Sequence, residues 1–231
     1  MGVEKIATVD FETHGIRARP DYPPKPVGMA WRLTHSKKGY LACRSPSERA
    51  HCKTVLKQWA REGHRFLFHN ASFDLDVMET HLGLAWPSDH DDTLLLAYLS
   101  DPRSPTFALK PTAERLLGEA PTERDELKEW IVENIAGATP KTWGAYISEA
   151  PFELVRPYAI GDVDRTWKLY QHFLKELGGR RTGQNDINMT DNGKVWAAYH
   201  REKKVTRVLV KMERRGVPVA AEHLRRDIKL W

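Results

Sequence analysis

Near its start the chain reads Ile6-Ala7-Thr8-Val9-Asp10-Phe11-Glu12, an apolar and β-branched run that closes on two acids. Such a run predicts a strand over Ile6–Phe11. Alternate residues of a strand share a face, so Asp10 and Glu12 point the same way. A buried carboxylate pair is costly unless a cation or hydrogen bonds offset it. The segment therefore calls for a sheet whose first strand ends at a polar site. A solvated strand end is the plain alternative, and only partners elsewhere in the chain decide between them.

The rest of the chain supplies the sheet and its cover. Val27–Thr34 and Gly39–Ala42 read as two further strands, after a proline-rich loop at Gly15–Pro26. Ser47 opens a helix whose apolar stripe is Ala50, Val55, Leu56 and Trp59. Arg65–His69 is a short buried strand. Asn70 or Ser72 caps a helix that runs to His81 and stops at Gly83. Asp89–Asp92 reads as a strand edge and Thr93–Leu99 as a helix, followed by helical patterns at Leu109–Leu117, Thr122–Asn134 and Glu153–Leu177. Three strands followed by alternating helices and strands predict an α/β fold, a mixed sheet flanked by helices. Gly178–Gly193 is rich in Gly, Asn and Asp and reads as a linker, with a separate helix over Lys194–Arg215 and a shorter one over Ala221–Trp231.

Two more acidic groups lie where this architecture can bring them to the first strand's end. Asp74, in His69-Asn70-Ala71-Ser72-Phe73-Asp74, projects from the first turn of a helix that follows a buried strand. Helix capping is its plain reading. Asp76 lies about 200° around the same helix and cannot share the site. Tyr158 and Asp162 stand four apart on the long helix, so phenol and carboxylate point together, and Gly161 keeps that surface open. Asp164 falls on another face and reads as solvated.

Composition excludes several classes. The 41% apolar share supports a packed core. Thr93–Leu99, the longest apolar run, is far too short for a membrane span, and the N-terminus lacks the apolar stretch of a secretory signal. Cys43 and Cys52 have neither disulfide-framework nor zinc-ribbon spacing, which suits a reducing cytoplasm. The net charge of +5 permits a nucleic-acid partner, and bases concentrate over 201–229.

Four carboxylates (Asp10, Glu12, Asp74, Asp162) and a tyrosine, in this order and on these elements, resemble the DEDD exonuclease superfamily of the RNase H-like, or DnaQ-like, fold. Tyr158 four residues before Asp162 points to its tyrosine branch; the histidine branch would place His where Pro157 stands. The resemblance covers about Val3–Gly178. Asp92–Leu99 and Leu109–Gly118 look like segments of family A DNA polymerases and of ribonuclease D. Glu202 and then Val208–Val217 look like the junction from proofreading to polymerase domain in family A polymerases. The implied division is an exonuclease domain at 1–178, a linker at 179–193 and a helical segment at 194–231. No polymerase motif follows, so this polypeptide is not expected to synthesise DNA. An excised domain, one piece of a split polymerase and a stand-alone phage-type protein all fit this pattern.

The resemblance implies a metal-dependent 3′-5′ exonuclease that hydrolyses single-stranded or frayed DNA 3′ ends to nucleoside 5′-monophosphates, by a two-metal-ion mechanism of the proofreading type. Hard oxygen ligands suit two divalent ions, Mg²⁺ or Mn²⁺. Asp10 would bridge both ions, Glu12 and Asp162 would hold the nucleophile-side ion, and Asp74 would act on the other, largely through water. Tyr158 would orient the attacking water, since a phenol with a pKa of about 10 is a poor general base. Thr13, Ile16, His69, Asn70 and Phe73 match substrate-facing positions, with Ile16 as an apolar wedge; Phe73 and Ile16 also read as ordinary packing residues. Lys141 and Trp143 lie where they could track a phosphate backbone. The implied partners are single-stranded DNA or a DNA 3′ terminus and a separate polymerase subunit, with no membrane, in a bacterial or phage-infected host cytoplasm. Two other readings compete: a ribonuclease D-like RNA 3′ trimming enzyme, and a DNA- or polymerase-binding module with a vestigial site.

Overall fold

The structure, a computed structural model, describes residues 4–34, 37–119, 122–178, 191–218 and 220–230. Five strands form one mixed sheet in the order β3-β2-β1-β4-β5. They are β1 (Ile6–Thr13), β2 (Pro26–Leu33), β3 (Lys38–Ala42), β4 (Arg65–Phe68) and β5 (His90–Asp92). β1 pairs antiparallel with β2 and parallel with β4. β3 and β5 extend the sheet antiparallel and parallel, respectively. The expected mixed sheet is therefore present. β1 runs two residues beyond the predicted Phe11, so Glu12 lies within the strand.

The parallel β1–β4 pairing needs a crossover, supplied by α1 (Pro46–Arg61). Ser45 starts this helix by a reciprocal cap, accepting from the Glu48 N–H (3.2 Å) while its own N–H donates to Glu48 Oε2 (2.7 Å). A cap of this kind stabilises a helix by about 1 kcal/mol. α1 and α2 (Ala71–Leu82) cover one face of the sheet, where Val9, Phe11, Met29 and Phe68 meet Leu56, Trp59, Leu75 and Met78. The other face carries α3 (Thr93–Ser100), α4 (Leu109–Leu117), α5 (Thr122–Asn134), a 3₁₀ helix at Trp143–Glu149 and α6 (Phe152–Glu176). Leu67, Leu96, Leu169 and Phe173 form one core there, and Ala30, Leu127, Ile131, Val155 and Val163 a second. The 3₁₀ helix, seven residues long, has no counterpart in the sequence reading, because little more than two 3₁₀ turns are too short to show a repeating apolar period.

α7 (Asp191–Arg215) begins three residues before the predicted Lys194, and α8 spans Ala221–Leu230. The rest of the expected linker, residues 179–190, lies outside the described residues. α7 is packed onto the body of the sheet. Trp196 and Tyr199 are fully buried in the Leu67 core. Tyr199 Oη donates to Asp91 Oδ1 (3.0 Å) and accepts from the Asp92 N–H (2.7 Å). Asp91 also receives Arg65 Nε (2.6 Å) and the Tyr170 hydroxyl (3.0 Å). Lys203 Nζ donates to His90 O (2.6 Å) and Asp89 Oδ1 (2.8 Å). A buried acid satisfied this fully fixes the helix that carries its partners. Among the described residues, no helix is long and apolar enough to cross a membrane.

Candidate active site

The site lies where β1 outruns its neighbour. β4 pairs with β1 only through Thr8. Beyond that point the Phe11 N–H donates to Asp74 Oδ1 at 2.9 Å, so α2 takes over where the strand ladder stops. Val9 and Phe11 enter the α1/α2 core. By strand alternation Asp10 and Glu12 face the opposite side, toward α6. There Asp10, Glu12 and Asp162 converge, each offering an oxygen, all within 4.8 Å of one another. Asp74 is 1% exposed and feels the charges of Asp10 and Glu12. Four acids predicted from three separate stretches thus share one neighbourhood.

Their ionisation shows the strain of that arrangement. Asp10 is pushed from its usual 3.8 up to about 7, first by burial and then by Asp162, with Lys110 opposing. Glu12 is raised well above the carboxylate range by burial, then by Asp10 and Asp162. Burial and Asp10 raise Asp74 in the same way, against the stabilising Phe11 N–H. Crowded, mutually repelling oxygen donors, buried at Glu12 and Asp162 and half-buried at Asp10, suit a hard divalent cation, which would relieve the repulsion. The donor set therefore fits the ions expected from the sequence.

Tyr158 is buried on α6, one turn before Asp162, and its ring meets Trp143 edge-on at 5.9 Å. Two cations accompany the acids, and neither was anticipated. Arg165 Nη1 is 3.4 Å from Asp162 Oδ1, at an i,i+3 spacing that the sequence does display. Lys110 Nζ is 2.6 Å from Asp162 Oδ2 and 3.8 Å from the centre of the Tyr158 ring. Lys110 comes from α4, and nothing in its local spacing announces the contact.

The turn that presents Asp74 is built differently from expectation. Asn70 occupies the N-cap of α2 in the left-handed region (φ 69°), and its side chain makes no capping bond. Asp92 supplies the cap instead, accepting from the Asn70 and Ala71 N–H groups at 3.0 and 2.9 Å. A carboxylate at a helix N-terminus complements the dipole. Asp76 stays out of the site, paired with Arg19 (3.0 Å) and Arg214. Asp164, expected to be solvated, instead bonds Arg32 (2.7 Å) and Lys38 from the neighbouring strands.

The other candidates scatter. His69 has both ring nitrogens engaged, with Thr93 Oγ1 (2.8 Å) and Phe107 O (2.9 Å). Because a carbonyl only accepts, Nε2 carries the proton, and burial lowers the ring's pKa to about 4. Phe73 is half-buried and packs edge-on against Tyr22 at 6.3 Å. Thr13 sits at a register irregularity of β1, its hydroxyl donating to His14 O (2.9 Å). Asn70 is exposed, as is Ile16 (68%), which juts from the loop after β1. Lys141 is exposed and Trp143 half-buried.

Comparison with known proteins follows the same lines. The model of a family described as 3′-5′ exonuclease matches residues 4–178. A protein named DNA polymerase from Escherichia phage T5 is 30% identical over 172 residues, 71% of this chain and 18% of that protein. The chain thus spans under a fifth of that relative's length. Among solved structures, the POL domain of Pol1 from M. smegmatis, in complex with DNA primer-template and dNTP, aligns with a TM-score of 0.60 at 18% identity. That alignment covers 98% of this chain and 31% of the other. Brucella melitensis NrnC with bound Mg²⁺ aligns with a TM-score of 0.57 at 15% identity, covering 93% of this chain and 90% of the other. At such identities these likenesses speak to the fold.

Proposed function

The chain belongs to the 3′-5′ exonuclease family that its residues 4–178 match, and from that premise we propose that it hydrolyses single-stranded or frayed DNA from the 3′ end, in the manner of a proofreading domain. The observation that carries the reading is the convergence of Asp10, Glu12 and Asp162 within 4.8 Å. The phage relative named DNA polymerase favours DNA as the substrate.

In this reaction a water oxygen attacks the phosphorus of the terminal phosphodiester. The bond to the 3′ oxygen breaks, leaving a shortened strand with a free 3′ hydroxyl and a nucleoside 5′-monophosphate. Two divalent ions, Mg²⁺ or Mn²⁺, held by Asp10, Glu12 and Asp162 with Asp74 beside them, would supply the Lewis-acid charge this displacement needs. Tyr158 holds the attacking water through its hydroxyl and keeps it in line with the bond that breaks. Trp143 steadies the tyrosine ring edge-on. Asp74 ties β1 to α2 through the Phe11 N–H, fixing the spacing of the acids around the scissile bond. Ile16, exposed on its loop, would wedge between terminal bases. Thr13, Asn70 and Phe73 would contact the terminal nucleotide, as the family resemblance implies.

In this reading residues 1–178 are the catalytic unit and 194–231 the helical segment that leads toward a polymerase module, carried on the same chain or on a separate subunit. The work is done in the cytoplasm of a bacterium or of a phage-infected host. The test is a parallel digestion of DNA and RNA oligomers of one sequence with Mg²⁺. Faster loss of DNA supports the proposal. Faster loss of RNA would replace it with an RNA-trimming role.

A further inference from the structure

Lys110 stands in an unfavourable place for a cation. It is in the first turn of α4, which holds no acid, so the helix dipole works against it. Its side chain is only 11% exposed. Burying an ammonium is costly unless it is closely paired. The pairing is with the acidic site itself: Nζ lies 2.6 Å from Asp162 Oδ2 and 3.8 Å from the centre of the Tyr158 ring. Asp162 meanwhile has a second cation, Arg165, 3.4 Å away on the same helix. Lys110 therefore adds charge to an acid that is already accompanied, and it does so from a separate element.

We propose that Lys110 is a built-in cation of the acidic site that competes with divalent ions for Asp162. The inference rests on the reading of Asp10, Glu12 and Asp162 as metal ligands. Their donor oxygens lie within 4.8 Å of one another. A Mg²⁺ ion binds such oxygens at about 2.0–2.1 Å, so an ion drawing on Asp162 would stand close to an ammonium 2.6 Å from that carboxylate. A doubly charged ion repels the ammonium twice as strongly as a single charge would. Lysine has a flexible four-carbon stem and can swing away. Arg165 is 7% exposed and shares α6 with its acid, so it stays. The lysine thus keeps the acids together at low metal and sets the concentration at which the ions take over.

The test measures Mn²⁺ binding by calorimetry without nucleic acid, comparing the wild type with Lys110→Met and Lys110→Arg. The methionine keeps the stem and removes the competitor, so Mn²⁺ should bind at least tenfold more tightly, while the arginine variant stays near wild type. Equal or weaker binding by Lys110→Met overturns the inference and leaves the metal reading standing. No binding by any of the three folded proteins overturns both. Should Lys110→Met fail to fold, the wild type still decides. On Mg²⁺ titration the NMR signal of the Lys110 side-chain terminus should move in step with metal saturation, and an unmoved signal refutes the exchange.

Discussion

Replacing Asp10 by Asn should stabilise the metal-free protein at pH 8, although it deletes a residue of the proposed catalytic centre. The Asp10 carboxyl is raised from 3.8 to about 7, by burial first and by Asp162 next. A carboxyl whose folded pKa is raised contributes most below its unfolded value, and that contribution is lost as pH climbs through about 7. The shift is about three pKa units at about 1.4 kcal/mol each, so the ionised side chain costs up to about 4 kcal/mol at pH 8. Asn has the same shape and no charge, and it escapes this cost. For a chain of this size the gain corresponds to roughly 10 °C in melting temperature. Urea unfolding in EDTA, followed by tryptophan fluorescence, should show the variant's advantage at pH 8 and a much smaller one at pH 5. Mg²⁺ should then narrow the pH 8 gap by stabilising the wild type more than the variant. An Asn variant no more stable than wild type at pH 8 would refute the claim that burial and the Asp162 charge make an ionised Asp10 costly.

Asp162→Asn should behave in the opposite way. Its carboxylate is paired with Lys110 and Arg165, and breaking a buried pair costs about 3–5 kcal/mol; the same urea titration checks the loss. Tyr158→Phe should lower kcat about 10- to 100-fold, the worth of one hydrogen bond near charge, and leave DNA affinity unchanged in a fluorescence-anisotropy titration. Tyr199→Phe removes a donor to Asp91 and an acceptor of the Asp92 N–H. It should cost about 1–3 kcal/mol and hasten proteolysis within α7.

The parts of this fold that the sequence displays are those governed by local period and alternation. α4 and α5 match their predicted bounds, and the i,i+2 and i,i+4 spacings placed Asp10 with Glu12 and Tyr158 with Asp162. What stayed hidden was set by partners distant in sequence. The cap of α2 comes from Asp92, across a neighbouring strand, because Asn70 uses its left-handed backbone to turn and leaves its side chain outside. Asp164 looked solvated on its own helix, yet β2 and β3 bring Arg32 and Lys38 to it. His69 matched a substrate-facing position, but the loop ending at Phe107 and the start of α3 engage both its nitrogens. Lys110 has no spacing relative to the acids at all; only the packing of α4 against α6 delivers it. Its one local sign was a lysine in a first turn that usually favours acids.

In the proposed reaction, acids from distant parts of the chain act together on a strand's 3′ terminus. Single-stranded DNA labelled at either its 5′ or its 3′ end tests it most directly, digested with Mg²⁺, with EDTA, and with the Asp10→Asn variant. The 3′ label should leave first as a mononucleotide while the 5′-labelled strand shortens stepwise, and both reactions should stop with the chelator or the variant. Early release of a 5′-labelled mononucleotide, or undiminished digestion by the folded variant, would contradict the proposed reaction.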